Sequence, residues 1–422
     1  MTSSPATASR QKPPSFSRAF WRFWAGHTLA LFGDVLFSAG MMWFVYRTTG
    51  SALATSGVAL TETGARVLGS LLAGPLADRR VRSRWMAQIH GFKMALVLAV
   101  ALALARGGLT PWLVYAVAFA LNLFNAFYEP VYGALVPDLV ATAVLTRANA
   151  FVQVSRTLAY GVSWGLSGLS LEALGPMPVA WANVLVFGLA MTLFLSLPRG
   201  SPVLGSGKGT SLTPAVFWRD VREGLALYRQ KKVLQGLLVV SFPGWLTVGL
   251  WGPLLLVYLN RVLGVGPAGW GWNQAVFFLS GLVGSVLAAS VLGVLSWPEG
   301  RWVAGVAWFH GMLTLAFALA PSYWWALVTV ALAGITDPFL QAARMALLQH
   351  AVSERLRGRV LAVWQALMYL TLIGSYTALG LLGEAVPLRG LYASSGVFIM
   401  GTVLIAALGF GLARVRVQGE RT

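Results

Sequence analysis

Three ionisable side chains stand in stretches of sequence that no water should reach. Asp34 lies in the apolar run Trp24–Tyr46, and Glu62 and Arg66 lie in the following run, Ala54–Leu76. A charge at the centre of a membrane span costs roughly 2.5–3.5 kcal/mol even on lenient insertion scales, so each of these groups needs a partner or a water-filled cavity. Glu62 and Arg66 are four residues apart and therefore share one face of a helix. At about 1.5 Å of rise per residue, Asp34 and Glu62 come to nearly the same depth, with Arg66 one turn away. Two carboxylates sharing one cation repel each other, and one of them is left ready to accept a proton. Such a cluster can take part in a proton-coupled step. A static ion pair that joins the first two helices explains the same three residues.

A second set of charges lies nearer the other end of the apolar runs. Glu129 and Arg156 fall at similar depth in the fourth and fifth runs, and Asp337 and Arg344 share one face of the tenth. They read as charge pairs that close one side of a cavity, or as structural links between helices. Asn122, Asn125, Gln153, Asn273, Gln274 and Gln341 are polar positions that could line the same cavity. Each is equally able to make a hydrogen bond between helices.

Other patterns carry no chemistry. Gly161-Val162-Ser163-Trp164-Gly165 matches a nucleophile elbow, but no strand precedes it, and small residues four apart serve close helix packing. Gly207-Lys208-Gly209 lacks the rest of a phosphate loop. His27, His90, His310 and His350 are too scattered to suggest a metal site, and the chain has no cysteine. No cofactor or metal is implied.

The elements that must position these residues follow from composition. Of 422 residues, 57% are hydrophobic and 10% charged, which is the balance of a polytopic membrane protein. The runs are continuous and rich in Leu, Ala, Val and Gly rather than short and alternating, so the expected class is all-α and not a barrel. With roughly 20 apolar residues per span, the chain accommodates about twelve helices. The remaining runs are Met86–Ala105, Pro111–Leu135, Ala148–Leu171, Pro178–Leu197, Leu234–Leu259, Trp270–Leu292, Trp302–Ala320, Tyr323–Leu347, Val360–Leu382 and Gly390–Gly411. Residues 1–22 and 413–422 are expected as cytoplasmic tails, 23–197 and 233–412 as two halves, and 198–232 as the linker between them. In that linker, apolar residues at 217, 218, 221, 225 and 228 share one face, predicting an amphipathic helix on the inner membrane surface.

The net charge of +18 would suggest a nucleic-acid partner in a soluble protein. Its placement argues otherwise. With the N-terminus inside, the outer loops hold only Arg47, Arg106, Arg261 and Arg389 of the 31 Lys and Arg, while the tails and inner loops hold most of the rest. That asymmetry predicts both termini on the cytoplasmic side of a plasma (bacterial-type inner) membrane. An internal repeat is also visible: Glu129-Pro130 followed by Arg147-Ala148-Asn149-Ala150 is echoed by Asp337-Pro338 followed by Arg357-Gly358-Arg359-Val360.

The stretch Gly74-Pro75-Leu76-Ala77-Asp78-Arg79-Arg80-Val81-Arg82 resembles the signature loop of the major facilitator superfamily of transporters. Gly33-Asp34, Pro137-Asp138-Leu139-Val140, Glu223-Gly224 and Arg357-Gly358-Arg359-Val360 are similar to the branch that contains macrolide-efflux proteins and the enterobactin exporter. The resemblance implies twelve transmembrane helices in two parallel, pseudo-symmetric six-helix halves, with a site at their interface near the midplane. It implies that Gly74, Asp78, Arg79 and Arg82 belong to a gate, with Asp78 at the N-terminal end of the eleventh helix, where a carboxylate is favoured. Anchoring of the arginines to anionic lipid is the alternative. The chain departs from the family at Val81, where glycine is usual, and in lacking the Gly-Pro pair that many antiporters carry in the fifth span. The implied function is export of a hydrophobic or amphipathic small molecule by proton antiport. An uncoupled or lipid-type facilitator and a non-transporting membrane receptor remain alternatives. The implied partners are that substrate, protons and membrane lipids, with a monomer as the expected state and no nucleic acid.

Overall fold

The computed structural model describes residues 16–77, 82–198, 214–294 and 297–416. Among them the regular structure is helical throughout. In chain order the helices are α1 (Arg18–Thr49), α2 (Ala52–Ala77), α3 (Arg82–Ala105), α4 (Pro111–Leu139), α5 (Leu145–Leu174), α6 (Pro176–Leu195) and α7 (Pro214–Gln230), then α8 (Lys232–Leu246), α9 (Val248–Trp251), α10 (Pro253–Leu263), α11 (Pro267–Val294), α12 (Glu299–Ala318), α13 (Tyr323–His350), α14 (Glu354–Ala385) and α15 (Leu388–Gly409). Local chemistry sets several boundaries. Ser17 accepts a hydrogen bond from the Phe20 amide to start α1, and Gly50, at φ 65°, ends it in the left-handed conformation that glycine adopts without strain. Thr110 and Ser322 cap α4 and α13 in the same way as Ser17.

Nine stretches among the described residues are long and apolar enough to cross a membrane: α1, α3, the first part of α4, α6, α8 with α9, α11, α13, α14 and α15. Helices α2, α5 and α12 run among them. The seventh span was expected as one run, Leu234–Leu259. It is broken into α8, α9 and α10: a first break falls at Thr247, and a second at Gly252, where Pro253 has no amide hydrogen to continue the ladder and starts a new helix.

Helix neighbours repeat between the first and second parts of the chain. The pairs α2·α4, α3·α6, α1·α6 and α1·α5 are matched by α11·α13, α12·α15, α8·α15 and α8·α14. The two sets meet along two seams, α2 against α14 and α5 against α11. The second seam explains the glycines that mimic an enzyme motif, since a Cβ on Gly161 would stand 3.0 Å from the Leu279 side chain of α11 and one on Gly165 3.5 Å from that of Ala275, and it continues past the motif. A Cβ on Gly168 would stand 2.4 Å from the Pro267 carbonyl oxygen and 2.9 Å from the Gly271 Cα, so the two backbones touch.

Burial differs between the two ends of the bundle. At the end away from the termini, one apolar cluster runs through both sets of helices, from Leu36, Met42 and Val58 to Leu254, Tyr258, Phe317 and Tyr392. At the end nearer the termini the described clusters stay within one set. One, around Phe20, Met86, Val131 and Phe194, belongs to the first set, while a larger one around Leu237, Val303, Leu347 and Val360 and a small one of Ala288, Val306 and Phe339 belong to the second.

The amphipathic helix predicted in the linker is α7, and its partner is more than a membrane surface. The Tyr228 hydroxyl donates to the Val360 carbonyl at 3.1 Å, Glu223 pairs with Arg359, and Gly224 lies against the backbone of α14.

The seam makes a clear prediction. Gly168→Leu should lower stability by about 1–3 kcal/mol, because its side chain has only backbone to displace. Gly165→Ala should be close to neutral, since the nearest atom to its Cβ is the Ala275 methyl at an ordinary 3.5 Å. Thermal unfolding of the two variants in detergent checks both.

Candidate functional site

Four helices of the first set bring charged or polar side chains to the middle of the bundle. Asp34 sits halfway along α1, Glu62 and Arg66 in the middle of α2, and Asn122 and Asn125 in the middle of α4. The fourth contribution is Lys93 from α3, a residue that the sequence reading did not single out. Its side chain is 1% exposed. Its Nζ donates to both carboxylate oxygens of Asp34 at 2.9 and 3.0 Å and to Asn125 Oδ1. The aliphatic stem runs among aromatic rings, with the ammonium 5.3 Å from the centre of Phe187 and 5.9 Å from that of Tyr128. One ammonium therefore ties α1, α3 and α4 together and neutralises the Asp34 carboxylate.

Glu62 and Arg66 take different partners. The Ser38 hydroxyl donates to Glu62 Oε1 at 2.8 Å, and Glu62 is buried. Arg66 Nε donates to Asn122 Oδ1 at 2.9 Å, and Asn122 is held in turn by donating to the Ala118 carbonyl. Among the described residues Glu62 and Arg66 make no direct ion pair with each other. The single cluster expected from spacing is thus two units: a closed Asp34–Lys93–Asn125 knot, and a looser group of Glu62, Ser38, Arg66 and Asn122. Arg66 is exposed although it lies mid-helix. A guanidinium at that depth must face the cleft between the helix sets rather than lipid. Tyr160 of α5 and Tyr376 of α14 lie within electrostatic reach of it, and Tyr376 also faces Thr63 and Glu62. The second unit therefore adjoins the seam that α2 makes with α14.

The remaining positions are placed as follows. Glu129 and Arg156 pair at 3.2 Å, linking α4 to α5 within the first set. Asp337 and Arg344 are bridged rather than paired: Arg344 donates to Gln341, which donates to Asp337 at 3.4 Å, and the guanidinium lies 5.4 Å from the centre of the Trp364 ring. Gln153 is exposed on α5. Asn273 is fully buried, and its amide has no hydrogen-bond partner among the described residues. Arg82 pairs with Asp138 at the foot of α4. Gly74 lies near the end of α2. Asp78 and Arg79 are outside the described residues.

The fold is two helix sets joined at two seams, with a charged middle layer in the first set. Residues 11–417 match the family described as transmembrane secretion effector, a branch of the MFS-type transporters. The chain belongs to that family. It is 24% identical over 406 residues to macrolide efflux protein A of Streptococcus pyogenes, covering 94% of this chain and 97% of that one. It is 26% identical over 382 residues to the multidrug efflux pump Tap of Mycolicibacterium fortuitum, covering 89% and 90%. In fold it is similar to the crystal structure of a bacterial homologue of the iron transporter ferroportin, at a TM-score of 0.65 and 18% identity over 95% of this chain and all of that one.

In this MFS-type transporter the missed residue had a readable signal. Lys93 is a lone cation within Met86–Ala105, and the desolvation cost that singles out Asp34 applies to it equally. Sequence spacing pointed to Arg66 because it lies near Glu62 along one helix, whereas Lys93 reaches Asp34 across three-dimensional space.

The knot predicts a rescue. Removing one partner of a buried ion pair costs roughly 3 kcal/mol, whereas removing both is far milder. Lys93→Met and Asp34→Asn should each destabilise the protein strongly, and the double variant Asp34→Asn/Lys93→Met should recover most of the loss. A double-mutant cycle on thermal unfolding measures the coupling.

Proposed function

We propose that this chain is a secondary active exporter of a hydrophobic or amphipathic small molecule, driven by proton antiport across a bacterial-type inner membrane. Both termini are cytoplasmic in this reading. Helices α2, α5 and α12 complete a set of about twelve spans, with α8 to α10 together forming the seventh. Residues 23–197 and 233–412 are the two halves, joined through the linker that carries α7. Substrate moves by alternating access as the halves rock about the charged layer.

The observation that carries this reading is the difference between the two ends of the bundle. One apolar core is continuous across both halves at the end away from the termini and gives way to separate clusters, each within one half, at the end nearer them. A bundle closed on one side and parted on the other, around a polar middle layer, is one of the two end states of such a cycle. Basic residues at the tails and inner loops put the parted end in the cytoplasm. The likeness to macrolide efflux protein A and the multidrug efflux pump Tap favours export and an apolar or amphipathic cargo.

Within this scheme Glu62 carries the proton. Asp34 already has an ammonium, whereas the direct partner of Glu62 is the neutral Ser38 hydroxyl, and Arg66 stands a turn away. Loading Glu62 changes the charge beside Tyr376, and so acts on the α2–α14 seam. Arg66, exposed to the cleft, helps to set substrate charge preference. A second reading has one observation in its favour: if the neutralised Asp34–Lys93 pair is typical of the whole layer, the protein is an uncoupled facilitator.

One variant separates these readings. Glu62→Gln in proteoliposomes should lower transport driven by an imposed pH gradient at least about tenfold, a barrier change of about 1.4 kcal/mol, while exchange of labelled for unlabelled substrate without a gradient persists. Unchanged gradient-driven transport would remove Glu62 from the coupling.

A further inference from the structure

The closed end of the bundle holds a pair of contacts related by the internal repeat. Helix α2 begins at Ala52 with no acidic residue in its first turn. The Ser51 hydroxyl accepts from the Ala54 amide at 3.0 Å, and the two amides before it are served from the other half: Glu384, at the end of α14, accepts from the Ala52 amide at 2.5 Å and from the Leu53 amide at 3.3 Å. Helix α11 likewise begins at Pro267 with no acid in its first turn. Glu172, at the end of α5, accepts from the Ala268 amide at 3.0 Å. By the matching of helix neighbours, α5 corresponds to α14 and α2 to α11. Each half therefore places a carboxylate from its fifth span on the start of the second span of the other half.

We propose that Glu172 and Glu384 form a reciprocal latch that holds the outer face shut, and that breaking both caps is a required step in opening it. This inference rests on the alternating-access reading above. A carboxylate near a helix N-terminus is favoured by the unpaired amides and by the helix dipole. Because both caps cross the boundary between the halves, they exist only while the outer ends are together. Parting the halves takes the carboxylate acceptor from the first amides of both helices at once.

Neighbouring contacts reinforce the Glu384 side. Arg261, at the end of α10, lies 3.9 Å from the Glu384 carboxylate and donates to the Gly50 carbonyl in the turn just before α2. Tyr46 donates to Asn260 at 2.9 Å, one residue along. Beneath them the seam is tight, with a Cβ on Gly380 standing 3.1 Å from the Ser56 Cβ. On the Glu172 side, a Cβ on Gly266 would stand 2.8 Å from the carboxylate oxygen, so the glycine there gives the acid room to reach the helix start.

Spin-label distances across the outer mouth test the latch, and the chain's lack of cysteine means that labels can be placed without first removing any. Labels at Thr48→Cys and Gly390→Cys read the outer mouth of the full-length protein in liposomes, and labels at Thr142→Cys and Ser353→Cys read the inner one. The double variant Glu172→Gln/Glu384→Gln should raise the wide-mouth population about tenfold over wild type, with each single variant between. The inner distance should shorten in step, which a merely loosened fold would not produce. If the double variant does not fold, Glu172→Asp/Glu384→Asp keeps the charge but shortens its reach, and should shift the same populations in the same direction to a smaller extent. A wild type that alternates between wide and narrow mouths while these variants leave its populations unmoved would overturn the latch alone. A wild type whose mouth never widens, with substrate or under a pH gradient, would overturn the latch and alternating access together.

Discussion

The first half of the molecule is built around one ammonium group. Lys93 is almost completely buried, and a cation there is tolerable only because Asp34 and Asn125 converge on it from two other helices. This requirement fixes the rotation of α1, α3 and α4 about their axes more tightly than apolar packing would, since sliding any of them by one residue strands a charge. Once α1 and α4 are set, Ser38 faces Glu62 and Asn122 faces Arg66, so the looser unit takes its geometry from the closed one. The second half has no matching ion pair among its described residues. Its polar middle layer is lighter, with His310 against Thr336 and the Asp337–Gln341–Arg344 chain on α13.

Much of the architecture was legible in the sequence because hydropathy and charge placement are one-dimensional signals. The apolar runs became helices, the signature loop and repeated motifs led to the right superfamily, and the glycines at 161, 165 and 168 became a packing seam instead of a nucleophile elbow. The break at Gly252-Pro253 could have been read from its residue types but was covered by the length of the apolar run around it. The candidate site was legible in its members and less so in its pairings. Asp34, Glu62 and Arg66 stood out by desolvation cost, but depth and spacing pointed to one cluster of the three, while each takes its direct partner from another helix. Asn122 and Asn125 were read as cavity lining or as hydrogen bonds between helices, and they make such bonds, to Arg66 and Lys93. Glu172 and Glu384 gave no signal, because a carboxylate at the end of a span looks like an ordinary loop residue until the partner helix is placed beside it.

The two units suggest a division of labour that fits the shape of the bundle. The knot joins three helices within one half through the buried Lys93. Glu62 and Arg66 adjoin a seam between halves and look toward the cleft, where a change of charge can alter how the halves meet. Capping of α2 and α11 from the opposite half adds a matching constraint at the far end, so that the middle layer and the outer face are joined through the same helix, α2.

The most direct test of the central claim is dye movement in energised membrane vesicles carrying the wild-type chain, with and without a protonophore. Accumulation in inside-out vesicles and extrusion from right-side-out vesicles, both collapsed by the protonophore, is the result that proton-driven export predicts. Movement that continues unchanged when the gradient is collapsed would contradict it.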